Sequence, residues 1–98
     1  MIIVLGSVTI QDGQLAQALA LSQEHVARSR AEPGCLAHAV HPDLDDPLRL
    51  VFIEQWLDQA ALMQHFKVPA SRAFVKALGA LASAPPSMAL YDAAEVRL

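Results

Sequence analysis

The sequence has few of the residues that identify many classes of protein. Among 98 residues there is one cysteine, Cys35, and aromatic and charged residues account for 5% and 17%. A single cysteine excludes an internal disulfide framework and a thiol-rich metal site, and it fits a reducing compartment. A net charge of −3 without a basic block offers no electrostatic footprint for nucleic acid. We therefore expect a cytoplasmic protein that binds neither DNA nor RNA.

Long hydrophobic runs and export signals are missing as well. The opening segment, MIIVLGSVTI, has no basic start and no small-residue cleavage site, so it predicts a strand rather than a signal peptide. No apolar run approaches the roughly 20 residues of a membrane span. Phosphate-binding glycine loops and metal-ligand clusters are not visible either. We therefore expect no membrane association and no tightly bound metal or organic cofactor.

What the sequence does contain is apolar residues in two periodicities. They make up 54% of the chain, against about 45–50% in an average protein. A period of two predicts strands, and recurrence every three to four residues predicts helices. The predicted strands are 2–10, 35–41, 49–57 and 87–98, and the predicted helices are 14–32, 59–66 and 70–82. With the last two helices taken as one connection, this order predicts a single α+β domain over 1–98, a ferredoxin-like βαββαβ fold with an antiparallel sheet.

The third predicted strand is apolar on both faces. Leu50, Phe52 and Trp56 lie on one face, and Val51 and Ile53 lie on the other. In this fold the helices cover only one face of the sheet, and the other face is normally polar. A monomer would expose an apolar patch as large as the sheet, which soluble monomers rarely do. We therefore expect a homodimer in which two sheets pack together about a two-fold axis.

Several short motifs in register resemble the antibiotic biosynthesis monooxygenase family. These are Pro33-Gly34-Cys35, Asp46-Pro47, Glu54-Gln55-Trp56, Ala61-Leu62 and His65. The resemblance implies a dimeric α+β barrel and, as in the characterised members, oxidation of electron-rich aromatics such as hydroquinones or anthrones without a cofactor. Other members of the family degrade haem, and many have no known activity.

The sequence departs from the family pattern at two positions. Ala70 follows Pro69 where many members have Pro-His, which weakens the inference of family chemistry. Gly6 aligns with an asparagine of the haem-degrading branch, which argues against haem degradation.

His65 is the candidate catalytic residue. It follows Leu62 by three residues, at the edge of the apolar face of its helix. Histidine titrates near neutral pH, so it suits proton abstraction from a phenol. The alternative is a histidine half in solvent at the boundary of the core.

Glu54 lies in line with Phe52 and Trp56 in the third strand. A buried carboxylate is costly unless it is paired or protonated, so Glu54 predicts a polar network beside a cavity. Its partner could be Arg49 or a residue of a second subunit. The candidate substrate-binding residues, each with a plain core role as the alternative, are Trp56, Phe52, Glu54, Phe74 and Tyr91.

The remaining histidines do not suggest a metal site. His38 and His41 lie on opposite faces of one strand, so they cannot converge on an ion. His25 lies near the margin of the first helix face, where we expect a surface residue.

The sequence thus predicts a cofactor-independent monooxygenase that oxidises a quinol-like or phenolic aromatic. The alternative is a dimeric barrel without turnover that binds a hydrophobic ligand or acts in a stress response. Haem binding through one of the histidines is a third, weaker interpretation.

Overall fold

Strands and helices form where the period of the apolar residues changes. The structure, a computed structural model, describes residues 1–98. β-branched and aromatic residues favour the strands, and turn formers separate them from the helices. In chain order the elements are β1 (Ile2–Thr9), α1 (Leu15–Arg30), β2 (Cys35–Pro42), β3 (Arg49–Trp56), α2 (Gln59–Lys67), α3 (Pro69–Leu81) and β4 (Ser87–Asp92).

The four strands form one antiparallel sheet in the order β2-β3-β1-β4. One face of the sheet is buried beneath the helices, with Val4, Leu50 and Trp56 among its side chains, whereas Leu5 and Ile53 are exposed on the other face. This arrangement confirms the predicted ferredoxin-like α+β fold.

The last strand is shorter than predicted. β4 ends at Asp92, which pairs with Ile2 at the start of β1. Because β1 begins there, residues 93–98 have no strand to pair with and lie outside the sheet. Leu36 also departs from the simple alternation in β2. The register of β2 against β3 shifts between Cys35 and Ala37, and Leu36 is left exposed.

The two C-terminal helices have clear start signals. The Asp58 side chain accepts a hydrogen bond from the Ala61 amide at 2.8 Å and so caps α2. Val68 is extended, and Pro69 begins α3 at a position where a missing N–H is no loss. The predicted break between the helices is confirmed. None of the three helices is long and apolar enough to cross a membrane.

The core consists of two apolar clusters with polar residues between them. Along β3, Glu54 separates Phe52 of the larger cluster from Trp56 of the smaller one. The larger cluster is Val8, Ile10, Ala18, Leu50, Phe52, Phe74 and Leu78, and the smaller is Val4, Trp56 and Leu62.

Candidate functional site

A cavity of about 530 Å³ lies between the sheet and α3, next to the β4 edge. The edge is open because α1 and α2 pack on β2 and β3, and Met88 of β4 is exposed on the helix side. Most of the cavity surface is apolar, while two imidazoles, one carboxylate and one guanidinium contribute polar groups. The lining includes Gly6, His25, Phe52, Glu54, His65, Arg72, Phe74 and Met88.

Gly6 keeps the floor of the cavity open. It lies in β1 opposite Phe52 of β3 and Met88 of β4, on the helix-covered face. A Cβ atom at this position would lie 3.6 Å from the Ser87 carbonyl oxygen and 3.7 Å from the Phe52 Cβ, which are ordinary contacts. The backbone thus has room for a side chain at residue 6, and that side chain would occupy the cavity.

Glu54 is buried and paired within its own face of the sheet. Its Oε1 accepts a hydrogen bond from the Trp56 indole at 2.9 Å and lies 3.3 Å from His38 Nε2. Burial alone would raise the pKa of Glu54, but the contacts with His38 and Trp56 and the nearby His65 hold the pKa below its usual value. Glu54 is therefore a carboxylate in a polar network beside the cavity.

The suggested Arg49 partner of Glu54 is wrong. Arg49 instead donates to Asp43 Oδ2 at 2.8 Å in the β2–β3 loop. Arg49 and Glu54 lie five residues apart in β3 and therefore point to opposite faces of the sheet.

His65 is buried at the cavity wall and is held by a carboxylate. Its Nδ1 lies 2.9 Å from Glu32 Oε1. As a hydrogen bond to a carboxylate requires a proton on Nδ1, the Nε2 lone pair stays free when the ring is neutral. The alternative of a half-exposed histidine at the boundary of the core is therefore wrong, and His65 is an oriented imidazole.

A glycine turn brings Glu32 to His65. Gly34 has φ of 79°, in the left-handed region, and a Cβ there would lie 2.6 Å from the Ala61 Cβ. Only glycine satisfies both conditions. The close approach of this turn to α2 explains why Pro33-Gly34 and Ala61-Leu62 occur together in the motif set, and it fixes Glu32 beside the helix that carries His65.

His25 is the site residue that sequence reasoning placed wrongly. It is 5% exposed and stacks on Phe74, with ring centroids 4.0 Å apart and an interplanar angle of 5°. Burial first, and then the charges of His38 and His65, lower the pKa of His25 to about 3. The buried stripe of α1 also includes Ser22 and Ser29, which hydropathy counts as polar. The spacing of three residues from Ser22 to His25 and four from His25 to Ser29, which places all three on one helical face, was the signal available in the sequence.

Four of the six predicted site residues line the cavity, and two do not. Phe52, Glu54, His65 and Phe74 surround it. Trp56 is fully buried behind the wall, with its ring centroid 4.6 Å from that of His65, so its predicted substrate contact is corrected to support of His65 and Glu54. Tyr91 pairs with Ile3 in the sheet and lies on the face away from the helices, because the register of β4 decides which side chains point inward.

Cys35 is a poor candidate nucleophile. Burial, with the charges of Glu32 and Glu54, raises the pKa of its thiol, so the reactive thiolate is disfavoured at neutral pH.

These features define a small ferredoxin-like α+β protein with an oriented histidine at an apolar cavity. Residues 1–77 match the family model for antibiotic biosynthesis monooxygenase. The chain belongs to this family, as its motifs suggested.

Solved structures and a curated relative support the assignment. A crystal structure described as an antibiotic biosynthesis monooxygenase is 33% identical, covers 97% of this chain and 100% of its own, and superposes with a TM-score of 0.90. A candidate antibiotic biosynthesis monooxygenase from Deinococcus radiodurans is 26% identical, with a TM-score of 0.94 and coverage of 100% and 97%. An uncharacterized Synechocystis protein is 31% identical over 98% of this chain, which spans 65% of that relative's length.

Proposed function

We propose that this protein is a cofactor-independent monooxygenase that oxidises a quinol-like or phenolic aromatic in the cavity, with His65 as the general base. The observation that carries the proposal is the buried His65 ring at the cavity wall, with Nδ1 bound to Glu32 at 2.9 Å. An imidazole held in this tautomer presents Nε2 as a proton acceptor. Family membership supports the same class of reaction.

In this mechanism the cavity binds the aromatic ring against Phe52 and Phe74, which both line it. His65 Nε2 removes a proton from the substrate, and the resulting anion transfers its electrons to dioxygen. One oxygen atom enters the product, which becomes a quinone, and the other leaves as water, so the substrate supplies all the electrons. Arg72 at the cavity lining favours the anionic form. The protein contributes a base, orientation and exclusion of water.

The proposed active form is a cytoplasmic homodimer packed through the sheet face away from the helices. On that face Leu5 is 44% and Ile53 is 40% exposed, and the two residues are neighbours across β1 and β3. Ala39 and Ala89 extend the same row across β2 and β4. A continuous apolar surface of this kind is self-complementary about a two-fold axis.

A second candidate is a barrel that binds a hydrophobic ligand without turnover. The apolar lining of the cavity favours it, and so does Ala70, since the histidine of the family's Pro-His pair is missing. Ligand binding without oxygen uptake would distinguish this candidate from the enzyme.

Oxygen consumption by metal-stripped protein, with a panel of hydroquinones, naphthohydroquinones and anthrones, tests the proposal. We expect enzyme-dependent uptake with at least one substrate, and a loss of about 10²–10⁴-fold in His65→Gln, the usual range for a lost general base. Gly6→Val should also lose activity by filling the cavity. His41→Gln, exposed on β2 and outside the cavity, is the matched control. It lies on the outward sheet face, so sedimentation first checks that it keeps the oligomeric state of the wild type, and it should then keep full activity.

If the protein binds these aromatics but shows no oxygen uptake, the ligand-binding candidate is favoured over the enzyme. Full activity in His65→Gln would contradict the role of His65 as the base.

A further inference from the structure

Three of the four histidines meet at the inner end of the cavity, although they come from three different elements. His25 belongs to α1, His38 to β2 and His65 to α2, and each is more than nine-tenths buried. One ring nitrogen from each residue lies within 4.8 Å of those from the other two. Buried imidazoles are ordinarily hydrogen-bonded to protein or water. A convergence of three buried imidazoles therefore requires an explanation of its own.

Most of the ring nitrogens in this cluster have no protein partner. Both ring nitrogens of His38 lack a hydrogen bond, and so does Nδ1 of His25. His38 Nε2 lies 3.3 Å from Glu54 Oε1, but this contact is poorly aligned for a hydrogen bond. An unsatisfied buried donor or acceptor is costly, and an ion bound between the three rings would give these nitrogens a partner. Neutral imidazole nitrogens are among the preferred ligands of Zn²⁺, Cu²⁺, Co²⁺ and Ni²⁺.

We propose that His25, His38 and His65 form a binding site for one divalent transition-metal ion per chain. Ligand nitrogens about 2.0–2.1 Å from a tetrahedral ion lie about 3.3 Å from one another. The present spacing is within 4.8 Å, so the rings would close on the ion by about 1 Å.

The surroundings of His65 fit this role. Its Nδ1 is bound to Glu32, which is the carboxylate–histidine arrangement that orients imidazole ligands and strengthens them as donors. The same hydrogen bond leaves Nε2 as the coordinating atom. His25 is fixed by its stack on Phe74, and His38 is held in the β2–β3 ladder opposite Glu54.

Metal binding goes beyond the proposed oxidation and competes with it. A coordinated Nε2 of His65 has no lone pair left to accept a proton from substrate. We therefore expect one equivalent of bound ion to inhibit oxygen uptake, and a chelator to restore it. A bound ion would therefore regulate oxidation in the same cavity. Binding of the ion can be measured without any substrate.

Titration of tag-free, metal-stripped protein with Co²⁺ tests the site, because the visible absorption of protein-bound Co²⁺ reports coordination number. We expect one equivalent per chain, displaced by Zn²⁺. His25→Phe preserves the stack on Phe74 but removes a ligand, and it should weaken binding at least 100-fold, as should His38→Gln. Glu32→Gln should weaken binding by about 10–100-fold, the range for a lost carboxylate partner of a ligand. His41→Gln should bind as the wild type does.

Electron paramagnetic resonance of the Cu²⁺-loaded wild type gives a second measurement that does not depend on the folding of variants. Hyperfine coupling to three imidazole nitrogens is the expected result. Absence of stoichiometric Co²⁺ uptake, coupling to one nitrogen or none, or binding that His41→Gln abolishes would each overturn the proposal.

Discussion

The two faces of β3 have similar hydropathy in sequence but very different surroundings. The face toward the helices presents Phe52, Glu54 and Trp56, and its polar atoms find partners in the same layer, since Oε1 of Glu54 accepts the indole N–H at 2.9 Å. The outward face presents Val51 and Ile53, which meet no covering element. One strand therefore separates a polar cluster buried in the protein from an apolar surface left open.

The contrast reverses the usual arrangement, because polar groups are buried on one face of the strand and apolar groups are exposed on the other. Buried histidines and a carboxylate cost stability, and groups of this kind cluster at binding and catalytic sites. An exposed apolar row likewise disfavours a monomer and favours association. We therefore propose that the helix-covered face carries the chemistry and that the outward face carries the assembly.

The largest expected effect comes from a charge on the outward face. Ile53→Asp should convert the proposed homodimer into monomer or insoluble protein, because a desolvated carboxylate at the centre of a sheet-to-sheet interface has no partner. Sedimentation at micromolar concentration measures the change. Val75→Asp, an exposed position on α3, should remain dimeric. A wild-type protein that is folded and monomeric would refute the role of this face.

A large loss of stability is expected from the opposite face of the same strand. Trp56→Ala should lower the free energy of unfolding by about 3–5 kcal/mol, the usual cost of a fully buried aromatic side chain. It also leaves Glu54 without its indole donor. Leu44→Ala, in the exposed β2–β3 loop, should change stability by no more than about 0.5 kcal/mol. Urea denaturation measures the free energy of unfolding of both variants. Equal losses in the two would contradict the assignment of Trp56 to the core.

A smaller, pH-dependent effect follows from His25 in the metal-free protein. Its pKa falls from 6.5 in the unfolded chain to about 3 in the fold, so the unfolded state binds more protons between these values. Stability should therefore be full above about pH 6.5 and decrease as pH falls toward 3, by up to about 1.4 kcal/mol per pH unit. The charged and titratable groups around His25 are His38, His65, Glu54 and Arg28.

Denaturation at pH 7 and pH 5 tests this linkage, since Glu54 contributes mainly below its ordinary pKa near 4.5. His25→Phe should flatten the pH dependence in that interval, whereas His41→Gln should not change the contribution of His25. An unchanged slope in His25→Phe would show that acid sensitivity arises elsewhere.

The sequence predicted the fold better than it predicted the site. Hydrophobic periodicity located all seven elements, and the Gly34 and Asp58 signals marked real turns and caps. The site depends on contacts between elements that are distant in sequence, such as Glu32 with His65. It also depends on polar residues that are buried by context, as His25 is. The register of β4, which turns Tyr91 away from the cavity, is set by pairing with β1 and leaves no local signal.

The most direct test of the central claim is a long-range ¹H–¹⁵N correlation spectrum of the histidine rings in metal-stripped protein. The account predicts that Nδ1 of His65 carries the proton, bound to Glu32, and that Nε2 has no proton in the neutral ring. It also predicts that Nε2 of His65 shifts when a redox-inert phenol fills the cavity, while the nitrogens of His41 do not. A proton on Nε2, or a His65 ring that does not respond to the phenol, would contradict the claim that His65 is the oriented base of this cavity.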